Sequence, residues 1–267
     1  MVRLENPAHF DLRTIMNSGQ CFRIFEVKPN VFDVLSGSHW VRVIYDKVSN
    51  IYYFDCDDKE FLYWKHYFDL YYNLDYKEYF DVIESSNDDF LKAAAKYGSG
   101  MRILRQLYWE VIVSFIISQN NNIPRIKKSI EAFCKKFGKP MKKYGAVYHS
   151  FPRRADVMNI KLEDFGDLGL GYRTKYIYEI CTCDSLDLAP DNLRNIMGIG
   201  PKVESCIRLF GLHQMGSYPI DTWMKKLIDE AYDGHFDTIP YKGFEGFIQQ
   251  LQFYYYRHLK GKRYKDG

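Results

Sequence analysis

The 267-residue chain is 46% hydrophobic and 17% aromatic, enough apolar side chain for a sizeable core, which excludes a disordered protein. No run reaches the roughly 18 apolar residues of a membrane span, and the N-terminal residues lack a signal peptide's apolar stretch, so an intracellular protein is expected. The net charge of +3 hides an asymmetry: residues 1–90 hold 9 Lys/Arg and 16 Asp/Glu (−7), and the rest holds 28 and 18 (+10). A basic second half favours an anionic partner.

Residues 19–56 read as β structure. Residues 21–27 form the first strand, ended by Lys28-Pro29-Asn30, and residues 31–35 the second. Ser36-Gly37-Ser38 is turn chemistry, residues 39–45 alternate as a third strand, and residues 51–54 are a fourth. No helix intervenes, so the sheet is antiparallel. From about residue 58 the spacing becomes helical. Asp75-Tyr76-Lys77-Glu78 resembles a capping box, and Asn87 caps a helix closed by Gly98. Residues 111–117 are apolar almost all round, the pattern of a central buried helix, and run into Ser118-Gln119-Asn120-Asn121-Asn122.

Pro124 opens the next helix, with Ile126, Ile130, Phe133 and Phe137 on one face. Residues 139–152, with Gly, Pro and Lys, read as a loop. Helical spacing resumes at Arg153, is punctuated by Gly169-Leu170-Gly171-Tyr172-Arg173, and returns to about Cys181. Further helices run from Asp221 through Ala231 and from Phe244 to about Leu259. The fold class is α+β: a β-rich N-terminal domain over residues 1–85 and a helical domain over 86–267. The six cysteines are scattered, so reduced thiols are expected, with neither a zinc site nor an iron–sulfur cluster.

Residues 193–224 carry the chemistry. Gly198-Ile199-Gly200 gives a tight turn, and Pro201 suits the first turn of a helix. The result is a helix-hairpin-helix whose amides at Gly198, Gly200 and Val203 form a phosphate seat. Lys202 lies inside it. Packing by Val203 and Ile207 and the positive helix N-terminus both disfavour the ammonium form, as a nucleophilic lysine requires. Asp221 follows 19 residues later, before an apolar run. It is a good N-cap, and its carboxylate can also stabilise a nearby developing cation. Taken alone, the pair also suits a solvated lysine beside a phosphate and a plain cap.

Gly198-Ile199-Gly200-Pro201-Lys202-Val203 with Pro219-Ile220-Asp221 resembles the helix-hairpin-helix DNA glycosylase superfamily, and the lysine narrows it to members that are also lyases. Ser18-Gly19-Gln20-Cys21-Phe22-Arg23, residues 118–125 and Leu168-Gly169-Leu170-Gly171-Tyr172-Arg173 narrow it to the 8-oxoguanine DNA glycosylases. The resemblance spans most of the chain and implies a TBP-like N-terminal sheet. It implies that Lys202 attacks C1′ of a flipped nucleotide, Asp221 stabilises the charged sugar, and β-elimination then nicks the strand. Gly19 matches the glycine whose carbonyl reads the N7 hydrogen of 8-oxoguanine, Gln249 the reader of the Watson–Crick edge, and Phe253 and Cys206 the groups on the two faces of the base. Asn120 would fill the vacated duplex and Tyr172 would wedge it, while Arg125 and Arg173 would donate to the orphaned cytosine.

The implied partner is duplex DNA carrying 8-oxoguanine, preferably opposite cytosine, bound by a monomer without membrane contact. No redox or nucleotide cofactor is implied, although such hairpins can hold a monovalent cation through backbone carbonyls. One departure stands out: Trp223 occupies a position where family members commonly carry histidine, which alters local phosphate anchoring. Three rival readings are a glycosylase for another lesion, a DNA-binding module without catalysis, and a Schiff-base enzyme acting on small carbonyl compounds.

Overall fold

The computed structural model describes residues 1–5, 7–70 and 76–263, the last two by backbone alone. The expected capping residue Asp75 lies outside the described residues. The chain opens with β1 (Val2–Glu5) and α1 (Leu12–Asn17), neither expected from the sequence. β2 (Ile24–Lys28), β3 (Val31–Ser36), β4 (His39–Asp46) and β5 (Ile51–Phe54) follow. The sheet is antiparallel with order β1-β5-β4-β3-β2. Its first hairpin turns through Asn30 at φ 62° and its second through Gly37 at φ 56°. The apolar face, with Phe32, Val34, Val41, Val43 and Phe54, packs on α2 (Asp58–Tyr67) through Trp64 and Phe68.

The second core is helical. It begins with α3 (Tyr76–Glu84) and α4 (Asp89–Tyr97). Tyr76 and Ile83 of α3 belong to this core, so the packing changes before residue 85. The cap of α4 is Asp88 rather than Asn87: its carboxylate accepts from the Leu91 N–H at 2.8 Å. α5 (Tyr108–Ser118) is buried from Glu110 to Ile117, as its all-round apolar sequence requires. α6 (Ile123–Phe137) is capped by Asn122.

The segment read as a loop contains a hairpin, β6 (Pro140–Lys143) and β7 (Ala146–His149), turning at Tyr144-Gly145. Tyr148 packs its ring on Phe25 and Trp40 of the large sheet. Tertiary contact, rather than strand propensity, stabilises these short lysine-rich strands. α7 (Arg154–Val157), two 3₁₀ turns and α8 (Thr174–Thr182) lead to α9 (Pro201–Gly211), α10 (Thr222–Ala231) and α11 (Glu245–Arg263). Phe115 of α5 stacks on Phe210 of α9 at 5.2 Å, which fixes α9 against the central helix. Among the described residues no helix is long and apolar enough to cross a membrane.

Polar contacts lock the two cores together. Asp69, at φ 56° and fully buried, accepts from Tyr76 Oη (3.0 Å) and Arg105 Nε (2.6 Å), with His213 Nε2 at 3.4 Å. Gln20 donates to the Arg102 carbonyl (2.9 Å) and accepts from the Leu104 N–H (2.8 Å). These bonds hold Gly19, at the end of α1, beside the helical half.

Candidate active site

Three helix N-termini converge on one groove of about 790 Å³. They belong to α6 at Asn122–Arg125, α9 at Gly200–Val203 and α10 at Asp221–Trp223. Each presents N–H groups without intrahelical partners and the positive end of its dipole, so the groove suits an anionic backbone. Arg125, Lys202 and Lys225 add positive charge to its lining.

Lys202 and Asp221 line this groove together. They also line a cleft of about 200 Å³ beside it and a small cavity of about 40 Å³ beneath. The Lys202 ammonium lies 5.4 Å from the centre of the Phe115 ring, which gives it an apolar floor. Asp221 caps α10, accepting at Oδ1 from the Trp223 and Met224 N–H groups (2.9 and 2.8 Å). Its other oxygen takes no hydrogen bond from a described residue. One turn beyond Lys202, burial pushes the Cys206 thiol up to about 11, while the nearby lysine pulls it the other way.

The small cavity gathers Gly19, Cys206, Gln249 and Phe253 from three distant segments. Gly19 sits at φ 85°, a conformation that suits glycine, and a methyl group there would stand 3.1 Å from Phe253 Cε1. Phe253 is therefore closed against Gly19. Gln249 is buried, and its Oε1 accepts from Gln250 Nε2 at 2.8 Å; Oε1 of Gln250 is buried without a partner.

The duplex-facing residues divide. Asn120 is exposed at φ 44°, Arg125 is exposed, and Tyr172 is 53% exposed. Arg173, which the sequence suggests as a donor to the orphaned cytosine, is buried. It is 3% exposed and clamps the Asn loop, donating to the carbonyls of Gln119 (Nε, 2.7 Å), Asn120 (2.8 Å) and Leu170 (3.1 Å). Its donors are committed to backbone, leaving Arg125 as the exposed guanidinium of the pair.

The hairpin turn is equally constrained. Gly198 lies at φ 89°, and a side chain there would meet the Tyr176 ring at 2.6 Å. Tyr176 also packs edge-on against Tyr172 at 5.9 Å. The Gly198 carbonyl accepts from Gln119 Nε2 at 2.9 Å. Sequence reasoning overlooked this tie, the Phe115 floor, the Gln20 anchor and Arg257, which lines the cleft. Only Arg257 left a readable signal, being one helical turn after Phe253.

Residues 3–112 match the 8-oxoguanine DNA glycosylase N-terminal domain, and residues 113–232 match the HhH-GPD superfamily of base excision DNA repair proteins. The chain is 30% identical over 266 residues to the N-glycosylase/DNA lyase of Saccharomyces cerevisiae, covering 85% of this chain and 69% of that one. The Clostridium acetobutylicum 8-oxoguanine glycosylase/lyase, solved with double-stranded DNA containing cytosine opposite 8-oxoguanine, is 31% identical. It superimposes with a TM-score of 0.86 over 97% of this chain and 95% of that one. The 3-methyladenine DNA-glycosylase of Archaeoglobus fulgidus, 15% identical with a TM-score of 0.75, shares the fold.

Proposed function

The chain belongs to the 8-oxoguanine DNA glycosylases of the helix-hairpin-helix superfamily and is a bifunctional glycosylase and DNA lyase, and from that premise we propose that Lys202 is its nucleophile and Asp221 its electrostatic partner. One observation carries this assignment: the two side chains line the groove, the cleft and the small cavity alike. A nucleotide turned out of a duplex in the groove would meet both at its sugar, with its base directed toward Gly19, Gln249 and Phe253.

The unprotonated amine of Lys202 attacks C1′. The glycosidic bond breaks, and the base leaves with its electron pair and takes up a proton. The Asp221 carboxylate offsets the positive charge on the sugar in a site partly closed to water. Opening of the sugar ring leaves an iminium between Nζ and C1′. Loss of a C2′ proton then expels the 3′ phosphate by β-elimination, and water releases the enzyme. Opposite the lesion, Arg125 is the exposed donor suited to the acceptors of cytosine, Tyr172 the wedge, and Asn120 the filler of the gap.

At the hairpin, the Ile199 carbonyl takes no hydrogen bond from a described residue and would be the oxygen available to a monovalent cation. No step depends on that ion. The protein acts as a monomer on double-stranded DNA.

Borohydride trapping tests the assignment on duplexes carrying 8-oxoguanine, an alkylated adenine or no lesion. The wild-type chain is expected to trap on the first alone, and Lys202→Gln to trap on none. A trapped complex with Lys202→Gln would remove the lysine from its role.

A further inference from the structure

Arg257 has no role in the chemistry above, yet it stands in the same cleft. It lies on α11 one turn beyond Phe253, and its guanidinium carbon is 5.3 Å from the centre of that ring. With Lys202, Asp221 and Trp223 it lines the cavity of about 200 Å³. A methyl group built on Gly19 would come within 3.8 Å of its Nη1, so the guanidinium reaches the rim of the base pocket. The side chain is half-buried and makes no hydrogen bond or ion pair with a described residue. Burial pushes its pKa down, and Asp221 opposes that shift.

A guanidinium carries five N–H donors and loses hydration when half-buried. Leaving it without a partner is costly, so its position calls for an acceptor that arrives from outside. The neighbouring wall, Trp223, is uncharged and sits 6.2 Å from the Tyr256 ring. Arg257 is therefore the cation that α11 contributes to the cleft. Backbone phosphate has the chemistry to supply that acceptor, since it takes two parallel N–H bonds from a guanidinium.

Building on the glycosylase assignment, we propose that Arg257 binds a phosphate flanking the extrahelical nucleotide and so holds the turned-out sugar over Lys202. It acts on position and affinity and takes no part in bond breaking. In the free protein the aromatic face of Phe253 holds the guanidinium at the cleft mouth.

The test measures binding to a duplex with a tetrahydrofuran abasic analogue opposite cytosine, which has a backbone but no base. Arg257→Leu should weaken binding by roughly tenfold and lower the slope of log K against log salt by about 0.9, the value for one phosphate. Arg257→Lys should keep the slope. Methylphosphonates placed singly in the lesion strand should reveal one position where wild-type and Arg257→Leu affinities converge. An unchanged slope without such a position would overturn the proposal. If Arg257→Leu weakened binding to an 8-oxoguanine duplex while leaving the abasic duplex untouched, the arginine would read the base, which also refutes it. Failure of the wild-type chain to trap on 8-oxoguanine would instead count against the glycosylase assignment, separating the two.

Discussion

The side-chain amide of Gln119 donates to the carbonyl of Gly198 at 2.9 Å and so joins the Asn loop to the hairpin that carries Lys202. The loop that would occupy the gap in the duplex and the helix that would attack the sugar are thus tied directly to each other. Gln119→Ala should leave the hairpin folded, costing about 1 kcal/mol of stability. It should slow single-turnover excision of 8-oxoguanine about tenfold, because a nucleophile displaced by a fraction of an ångström loses its alignment. Unfolding in urea and a single-turnover time course measure the two effects separately.

The two arginines of the opposite-strand face should fail differently. Arg125 is exposed, so Arg125→Ala should leave stability within about 0.5 kcal/mol of wild type and flatten the preference for cytosine opposite the lesion. Arg173 donates to three backbone carbonyls, so Arg173→Ala should cost about 1–3 kcal/mol by removing those charge-assisted bonds. Excision rates against all four opposite bases, set beside melting curves, distinguish the patterns. An Arg173→Ala protein as stable as wild type would contradict the clamp.

Gly19→Ala should act on the base and spare the sugar. The added methyl meets Phe253 Cε1 at 3.1 Å in a backbone conformation at φ 85° that side chains rarely adopt. Activity on 8-oxoguanine should fall about 10- to 100-fold, while borohydride trapping on a preformed abasic site stays near wild type. An equal loss on both substrates would mean that the substitution disturbs Lys202 rather than the base pocket.

Asp69 makes stability depend on acidity. Burial raises the pKa of its carboxyl, but His213 and Arg105 outweigh burial and the net shift is downward. A depressed carboxyl stabilises the fold above its unfolded pKa, about 3.9, and that contribution is lost as pH falls through the folded value. Asp69→Ala should therefore cost about 3 kcal/mol near neutrality, with the gap to wild type closing below about pH 4. Urea unfolding of both proteins across that range gives the answer.

The order of strands β2 to β5, the buried α5 and the cap at Asp221 were legible in the sequence because each has a local cause: alternation, all-round apolarity, or a carboxylate before an apolar run. The gathering of Gly19, Cys206 and Phe253 came from resemblance, since no local spacing links Gly19 to residues 187 and 234 positions further on. Other features were hidden because their causes are tertiary. Pro140–Lys143 is a strand because Tyr148 on its partner packs against Phe25 and Trp40. The burial of Arg173 was hidden because it depends on how the Asn loop folds back over it. The Phe115 floor was indistinguishable from core within an all-apolar helix.

Phe253 rests against Gly19, and it lines both the cavity of about 40 Å³ that holds Gln249 and the neighbouring cleft of about 200 Å³. If a base needs that ring to swing aside before it can dock, only the molecules with the ring displaced can accept one. If that fraction were about 1%, apparent affinity for any base would be about a hundredfold below its intrinsic value. A closed ring of this kind would set a threshold that every nucleobase sampled along a genome must overcome. On the assignment of the Gly19 carbonyl as the reader of N7, a base that donates a hydrogen there would recover the deficit and one that presents a lone pair would not.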